Sequence, residues 1–474
     1  MTTIGAKRLA RVLGAWAGGG APLYRELSDA LTGAIERGEL TRDLTLPPER
    51  GLAAELAVSR TTVMHAYRRL KEAGLLESKQ GSGTSVVAGP IGGSGLPDFT
   101  GEIYSAVLSG SRGAIDLTSA CQAALPGFRR LVAGAIDLGA ALTGHGYQPA
   151  GLPGLREAVA ERFCAAGAVT RPDDVVITTG AQQAIGLVAD VLARPGDAVL
   201  VEEYTFPGAL DAFRSRGLRC VPVAIDGQGV RPDALREALA VERPAFAYVM
   251  PSYHNPTGTQ LPMTRRKETL DLATSAGVMI VEDNTLELLG AASSPRPPLA
   301  AIDGSGLVVS IGSLSKSVWG GLRVGWLRAP GPVADRAVRA KTVSDIGSPI
   351  LNQQLATHVV MQLDELAAEM LRHLAVSYRA LARAFASRLE SWSCPRPDGG
   401  LCAWVEAPTA TDVDALAQLA QRRGLVITPG SLFRADGASV PRLRIPFIYA
   451  PHVMEAAVDR LAEANAEMEA YPTE

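Results

Sequence analysis

The run LVVSIGSLSKSVWGGLRVGW, Leu307 to Trp326, decides how this chain folds. Leu307 to Gly312 is apolar and of strand length. SLSK, Ser313 to Lys316, follows it directly and leads into Gly321-Leu322-Arg323-Val324-Gly325. Upstream of it the same kind of strand recurs: VVIT from Val175, AVLVEE from Ala198, CVPVAI from Cys220, AFAYVM from Ala245 and VMIVED from Val278. The segments between them, such as Ala181 to Leu192 and Pro262 to Ala276, have helical length and periodicity. Strands alternating with helices predict a mostly parallel sheet covered on both faces, an α/β fold. Downstream, Leu401 to Val405, Leu425 to Thr428 and Leu443 to Phe447 read as strands of a smaller C-terminal α/β domain.

The N-terminal part follows a different pattern. Leu23, Leu27, Leu31, Ala34 and Ile35 share one helical face that ends near Gly38, and Leu52 and Leu56 mark a short helix after Pro47 and Pro48. Ser59 is a good N-cap for a third helix with Val63, Ala66, Tyr67 and Leu70 as its buried stripe, and a hairpin turns on Gly81, Ser82 and Gly83. Three helices and a hairpin have the proportions of a winged helix-turn-helix, mainly α with a β-hairpin wing. Residues 89–95, GPIGGSG, contain four glycines, a proline and no charge, which is linker composition. Phe99 to Leu108 has the pattern of a short docking helix within that connection.

With 474 residues the chain is long enough for two or three domains, and 47% hydrophobic against 20% charged residues is the composition of a globular protein. The net charge of −3 excludes a chain basic throughout, so nucleic-acid contact has to come from a local patch. Between Val58 and Gln80 five basic residues face two acids, whereas Pro22 to Ala88 as a whole balances nine against nine. The five cysteines make no close CxxC pair and form no ligand cluster with the six histidines, so neither a metal site nor a disulfide framework is expected. No run long enough for a membrane span or a secretory signal core is present in the sequence, and the expected location is cytoplasmic.

Pyridoxal-phosphate (PLP) chemistry needs a lysine amine for a Schiff base, a carboxylate at the ring nitrogen, and donors for the phosphate and phenolic oxygen. Candidates occur in order: Gly180, Ala181 and Gln182 open a helix after a strand, where free N–H groups suit a phosphate; Asn255 lies in HNPTG; Asp283 ends VMIVED; Ser313 and Lys316 lie in SLSK. With these motifs residues 150 to about 450 resemble the fold-type I aminotransferases. The resemblance implies that Lys316 carries the cofactor, that Ser313 and Arg323 hold its phosphate, that Asn255 bonds the phenolic oxygen and that Phe206 in YTFPGAL stacks on the ring. It further implies that Tyr147 in GYQPAG reaches the phosphate of a neighbouring subunit and that Arg444 in RLRIPF clamps a substrate or effector α-carboxylate. One position departs from the family: EDNTLELL has Leu286 where a tyrosine usually shares the phenolic oxygen, which should weaken transamination without forbidding PLP binding.

LPPERGLAAELAVSRTTVMHAYRRLKEAGLLESKQGSGT, Leu46 to Thr84, resembles the winged-helix domain of the GntR family along its length. Arg50, Ser59, Arg60, Thr61 and Thr62 match that family's DNA-contact positions, and Gly81 and Gly83 let the wing approach the backbone of double-stranded DNA. Met64 departs from the pattern, standing where family members can carry an arginine. A GntR head joined by a long linker to an aminotransferase-like domain is the layout of the MocR-type transcriptional regulators. The expected division is an arm over 1–21, the winged helix over 22–88, a linker over 89–114 and the aminotransferase-like domain over 115–474, its large part about 145–335 and its small part about 365–474. The resemblance implies a homodimer with swapped domains, each head lying over the partner subunit, that senses PLP itself or an amino-acid aldimine, with vitamin B6 or amino-acid metabolism as the controlled pathway. The rival expectation is a working PLP-dependent aminotransferase with an accessory DNA-binding domain.

Overall fold

The computed structural model describes residues 3–14, 16–18, 20–79, 83–87, 114–134, 146–290 and 296–470. Gly81, the linker up to residue 113 and the expected docking helix at 99–108 lie outside the described residues.

The N-terminal head holds helices α1 (Ala6–Leu13), α2 (Leu23–Glu36), α3 (Glu49–Glu55) and α4 (Arg60–Glu72). Its strands β1 (Thr45–Leu46), β2 (Leu76–Lys79) and β3 (Gly83–Val86) form one antiparallel sheet in the order β1-β3-β2. Leu27, Leu31, Leu52, Leu56, Val63 and Leu70 fill the core between them. Helix α4 begins where it does because the Ser59 Oγ accepts the Thr62 N–H at 3.1 Å, satisfying one of the free donors of the first turn. The segment expected to be an arm contributes to this core. Leu9, Ala10, Leu13 and Trp16 are buried in it, and Thr3 bridges to Thr45. Helix α1 follows Gly5, which offers no side-chain cap, and no proline marks its start, so the usual start signals are missing.

The large domain is built on a seven-stranded sheet. Its order is Val175–Thr178, Gly325–Arg328, Val308–Ser313, Met279–Asp283, Phe246–Val249, Ala198–Glu202 and Arg219–Val223. Only Gly325–Arg328 runs against the others, and it is the strand that periodicity did not reveal. The continuous apolar runs have a simple cause. Val175, Ile177 and Val308 pack on one face of the sheet while Val176, Val309 and Ile311 pack on the other, so both sets of alternating side chains are buried.

The small domain packs helices Leu363–Arg388, Val413–Arg422 and Pro451–Ala470 on an antiparallel sheet of Cys402–Glu406, Arg442–Pro446 and Thr428–Pro429. The single strand expected over Leu425 to Thr428 is two: Leu425–Val426 pairs instead with Ile115–Asp116, in parallel. The chain therefore touches the small domain before it crosses to the large one.

The head rests on the small domain of its own chain. The Arg422 guanidinium, at the end of helix Val413–Arg422, donates to the carbonyls of Leu56 at 3.0 Å and Ala57 at 2.6 Å, in the turn between α3 and α4. Lys7 pairs with Asp414 of the same helix at 3.7 Å. The swapped arrangement expected from the sequence places the head over a partner; in the chain described here its docking surface is met in cis.

Candidate functional site

Residues from the C-terminal ends of four parallel strands converge on a cavity of about 470 Å³. Strand ends are where an open α/β sheet presents groups to a ligand, because the loops that leave them are free of the ladder. Val175–Thr178 delivers Ala181 and Gln182, Phe246–Val249 leads to Asn255, Met279–Asp283 ends on Asp283, and Val308–Ser313 supplies Ser313 and then Lys316. Phe206, Arg323 and Arg444, also expected at the site, line the same space.

Asp283 is buried and held on both oxygens. The Tyr248 hydroxyl, one strand over, donates to Oδ2 at 2.6 Å and the Thr285 N–H donates to Oδ1 at 2.9 Å. Burial, with the Asp283 charge beside it, pushes the Tyr248 hydroxyl well above the ordinary tyrosine range, so it stays a donor. Among the described residues no cation pairs with Asp283. A buried carboxylate with two hydrogen bonds and no counter-charge fits a protonated ring nitrogen.

Gly180 caps helix Ala181–Leu192 with φ +110°, and a Cβ there would lie 3.2 Å from Nη2 of Arg323. Helix N–H groups and a guanidinium thus meet at one point, the donor set a phosphate requires. The Ser313 hydroxyl is adjacent and donates to the Ser315 Oγ at 3.1 Å. Arg444 is buried on strand Arg442–Pro446, where Nη2 donates to the Thr118 carbonyl and the guanidinium carbon stands 5.0 Å from the Phe433 ring centroid. Among the described residues its Nε has no hydrogen-bond partner, and neither does Oδ1 of Asn255. Both residues line the cavity, and buried polar atoms without partners are uncommon in folded chains. Taken together, the donor set fits PLP with a carboxylate-bearing molecule beside it.

Tyr147 stands apart: it is exposed, 62%, and does not line this cavity. Leu286 does line it, with no donor to offer. Several lining residues escaped sequence reasoning. Tyr253 points its hydroxyl away, accepting from the Gln260 Nε2 at 3.3 Å. Cys121 and Gln122 come from the extended segment before the large domain, and Ser315 and Trp319 flank Lys316. Ser315 was legible as part of SLSK, whereas a lone thiol between small residues gives no pattern. Tyr248 reads simply as core.

On the head, Ser59, Arg60 and Thr61 are exposed and Thr62 is half-buried at the start of α4, and Arg50 is exposed in the first turn of α3. Arg60 is 3.5 Å from Glu49 and mostly open to solvent. Ser59 hydrogen-bonds both threonine hydroxyls, at 2.7 and 2.9 Å, which fixes their orientation at the helix start. Gly83 opens β3 with φ +83°, a conformation that side chains disfavour. Met64 is exposed one turn further on. Among the described residues no cluster of three or more ligating side chains could hold a metal ion, and no helix is long and apolar enough to cross a membrane.

Comparison with known proteins agrees with both halves. Residues 116–464 match the model for aminotransferase class I and II, and residues 23–86 match that for bacterial regulatory proteins of the gntR family. The chain is 26% identical over 453 residues to the uncharacterised HTH-type transcriptional regulator YdfD of Bacillus subtilis, covering 90% of this chain and 93% of that one. It is 35% identical over 285 residues to the 2-aminoadipate transaminase of Thermus thermophilus, 58% of this chain and 71% of that one. Among solved structures, LysN, an α-aminoadipate aminotransferase of Thermus thermophilus complexed with N-(5'-phosphopyridoxyl)-L-leucine, superposes with a TM-score of 0.68 at 30% identity, covering 75% of this chain and 94% of that one.

Proposed function

The chain belongs to the class I and II aminotransferase family and carries a gntR-family head, and from that premise we propose that it is a PLP-dependent, DNA-binding transcriptional regulator of the MocR type. The observation that carries this reading is the union, in one chain, of an exposed helix start suited to DNA and a cavity lined by a lysine, a buried carboxylate and phosphate donors that suit PLP. Lys316 is the anchoring lysine, Asp283 holds the ring nitrogen, Asn255 the phenolic oxygen, and Phe206 covers the ring. Gly180, Ala181, Gln182, Ser313 and Arg323 hold the phosphate, joined in a homodimer by Tyr147 from the neighbouring subunit. Arg444 binds the effector's carboxylate. Bound PLP supplies an electron-accepting ring that labilises bonds at the α-carbon of an amino acid joined to it.

Arg50, Ser59, Arg60, Thr61 and Thr62 with Gly81 and Gly83 read a double-stranded operator. An effector that binds one arrangement of head and body better than the other shifts operator affinity by that difference. Because the head's docking surface lies on the small domain, which also carries Arg444, effector contact and head position involve the same unit. In a swapped dimer the same surface is met by the partner's head.

The rival reading, a working aminotransferase, is favoured by the likeness to the Thermus transaminase. Leu286 weighs against it, since the phenolic oxygen is left to Asn255 and the proton inventory that turnover needs is less well controlled. The test offers a panel of amino acids with 2-oxoglutarate and PLP, measuring product and operator affinity together. The regulator reading expects an amino acid that changes operator affinity with little or no product. Turnover at roughly 1 per second or faster, without effect on DNA binding, would overturn it.

A further inference from the structure

The Lys316 amine does not face an empty cavity. It donates to Sγ of Cys121 at 3.2 Å and to the Ala120 carbonyl at 2.9 Å. Cys121 is exposed and lines the same space. Partial burial would raise its pKa, but the Lys316 charge, hydrogen bonds from Lys316 and Ser119, and Arg323 nearby more than offset this and hold the thiol below its ordinary range. Two cavity-lining residues more than nine-tenths buried, Arg444 and Gln122, carry atoms without a hydrogen-bond partner among the described residues, Nε and Oε1. The Gln122 Nε2 donates to the Lys316 carbonyl at 2.9 Å, so thiol, lysine and glutamine form one fixed cluster. The Lys316 ammonium beside the thiol favours its thiolate, the nucleophilic form of cysteine, and the thiol lies on the accessible space.

We propose that Cys121 is a modification site for hydroperoxides and that its oxidation blocks cofactor loading, giving the regulator a second chemical input. The proposal rests on the reading of Lys316 as the lysine that anchors PLP. In the step, the Cys121 thiolate attacks an oxygen of a hydroperoxide, ROOH. An S–O bond forms as the O–O bond breaks, sulfur is oxidised by two electrons and the peroxide is reduced. The departing alkoxide takes a proton from the Lys316 ammonium and leaves as ROH, and Cys121 is left as a sulfenic acid. The added oxygen sits beside the one nitrogen that anchors the cofactor and hydrogen-bonds it.

The test treats cofactor-free full-length protein with hydrogen peroxide, labels sulfenic acid with dimedone, locates the label by mass spectrometry and follows PLP uptake by visible absorbance. Cys164, also exposed but away from the cavity, is the internal reference. Label should accumulate on Cys121 about tenfold faster than on Cys164, PLP uptake should fall in step with it, and a thiol reductant should restore uptake. Prior loading with PLP should protect Cys121, and Cys121→Ser should take up PLP equally before and after peroxide. Labelling of Cys121 no faster than of Cys164, or undiminished PLP uptake by the labelled protein, would overturn the proposal. Untreated wild type that takes up no PLP would instead sink the cofactor reading, and the labelling ratio would still decide the reactivity of Cys121.

Discussion

At the scale of single residues, the proposed site offers side chains whose orientation the surrounding structure already fixes. Asp283 is held on both oxygens before any ligand arrives, and Arg444 is fixed by the Thr118 carbonyl and the Phe433 ring. Preorganisation of this kind lowers what binding must spend on ordering. Lys316→Ala should therefore leave a pocket that still attracts PLP, yet borohydride should no longer fix the cofactor to the chain. Retention of reduced, chain-bound cofactor by that variant, read by intact mass, would place the anchoring amine elsewhere. Most of the site was legible residue by residue because the chemistry of the group dictates the residue types and the strand ends dictate their place. Cys121, Gln122 and Tyr248 were not legible. Their roles come from contacts with residues distant in sequence, such as the 3.2 Å from Cys121 to Lys316, and local pattern does not encode these.

At the scale of elements, the start of α4 carries the DNA-reading claim. Ser59→Ala removes the oxygen that accepts the Thr62 N–H and frees the two threonine hydroxyls, so the head should lose about 1 kcal/mol of stability. Its operator affinity should fall beyond what the stability loss accounts for. Arg60→Ala should weaken binding and shallow its salt dependence by about one phosphate contact, measured by titrating a promoter fragment across salt concentrations; an unchanged slope would remove Arg60 from the interface. Most of the large-domain strands that were read from sequence are buried on both faces and show unbroken apolar runs; the edge strand Arg219–Val223, only partly buried, was read from its β-branched run CVPVAI. Gly325–Arg328 escaped because four residues starting with glycine and ending with arginine carry no such run, although pairing on both sides makes it part of the sheet. Helix α1 escaped because Gly5 gives it no capping side chain, and its place in the head's core was visible only through Leu9, Leu13 and Trp16 joining the core with residues of α2 and α3.

At the scale of the whole molecule, the contact between head and small domain is the part with no sequence signal. Arg422 satisfies carbonyls in the turn that precedes α4, so the small domain meets the head close to the exposed start of that helix. Glu55 lies in this contact, and burial, with Asp414 and Asp412 adding and Lys7 and Arg11 opposing, pushes its carboxyl up to about 7. A carboxyl raised in the docked form stabilises docking fully below its ordinary range, and that contribution is lost as pH rises through about 7. Docking, followed by energy transfer between dyes on head and body, should be weaker at pH 8 than at pH 6. Glu55→Gln should abolish the difference, and Arg422→Ala should loosen docking at both values; a pH response that survives in Glu55→Gln would assign it to another group.

The central claim is that cofactor state and DNA reading are joined in one molecule. It is tested most directly by the fluorescence anisotropy of a labelled promoter fragment titrated with wild type and with Lys316→Ala, each with and without PLP. The account predicts that PLP shifts the wild-type Kd by about tenfold, a coupling of about 1.4 kcal/mol, and leaves the variant's Kd unshifted. Identical wild-type curves with and without PLP would contradict it.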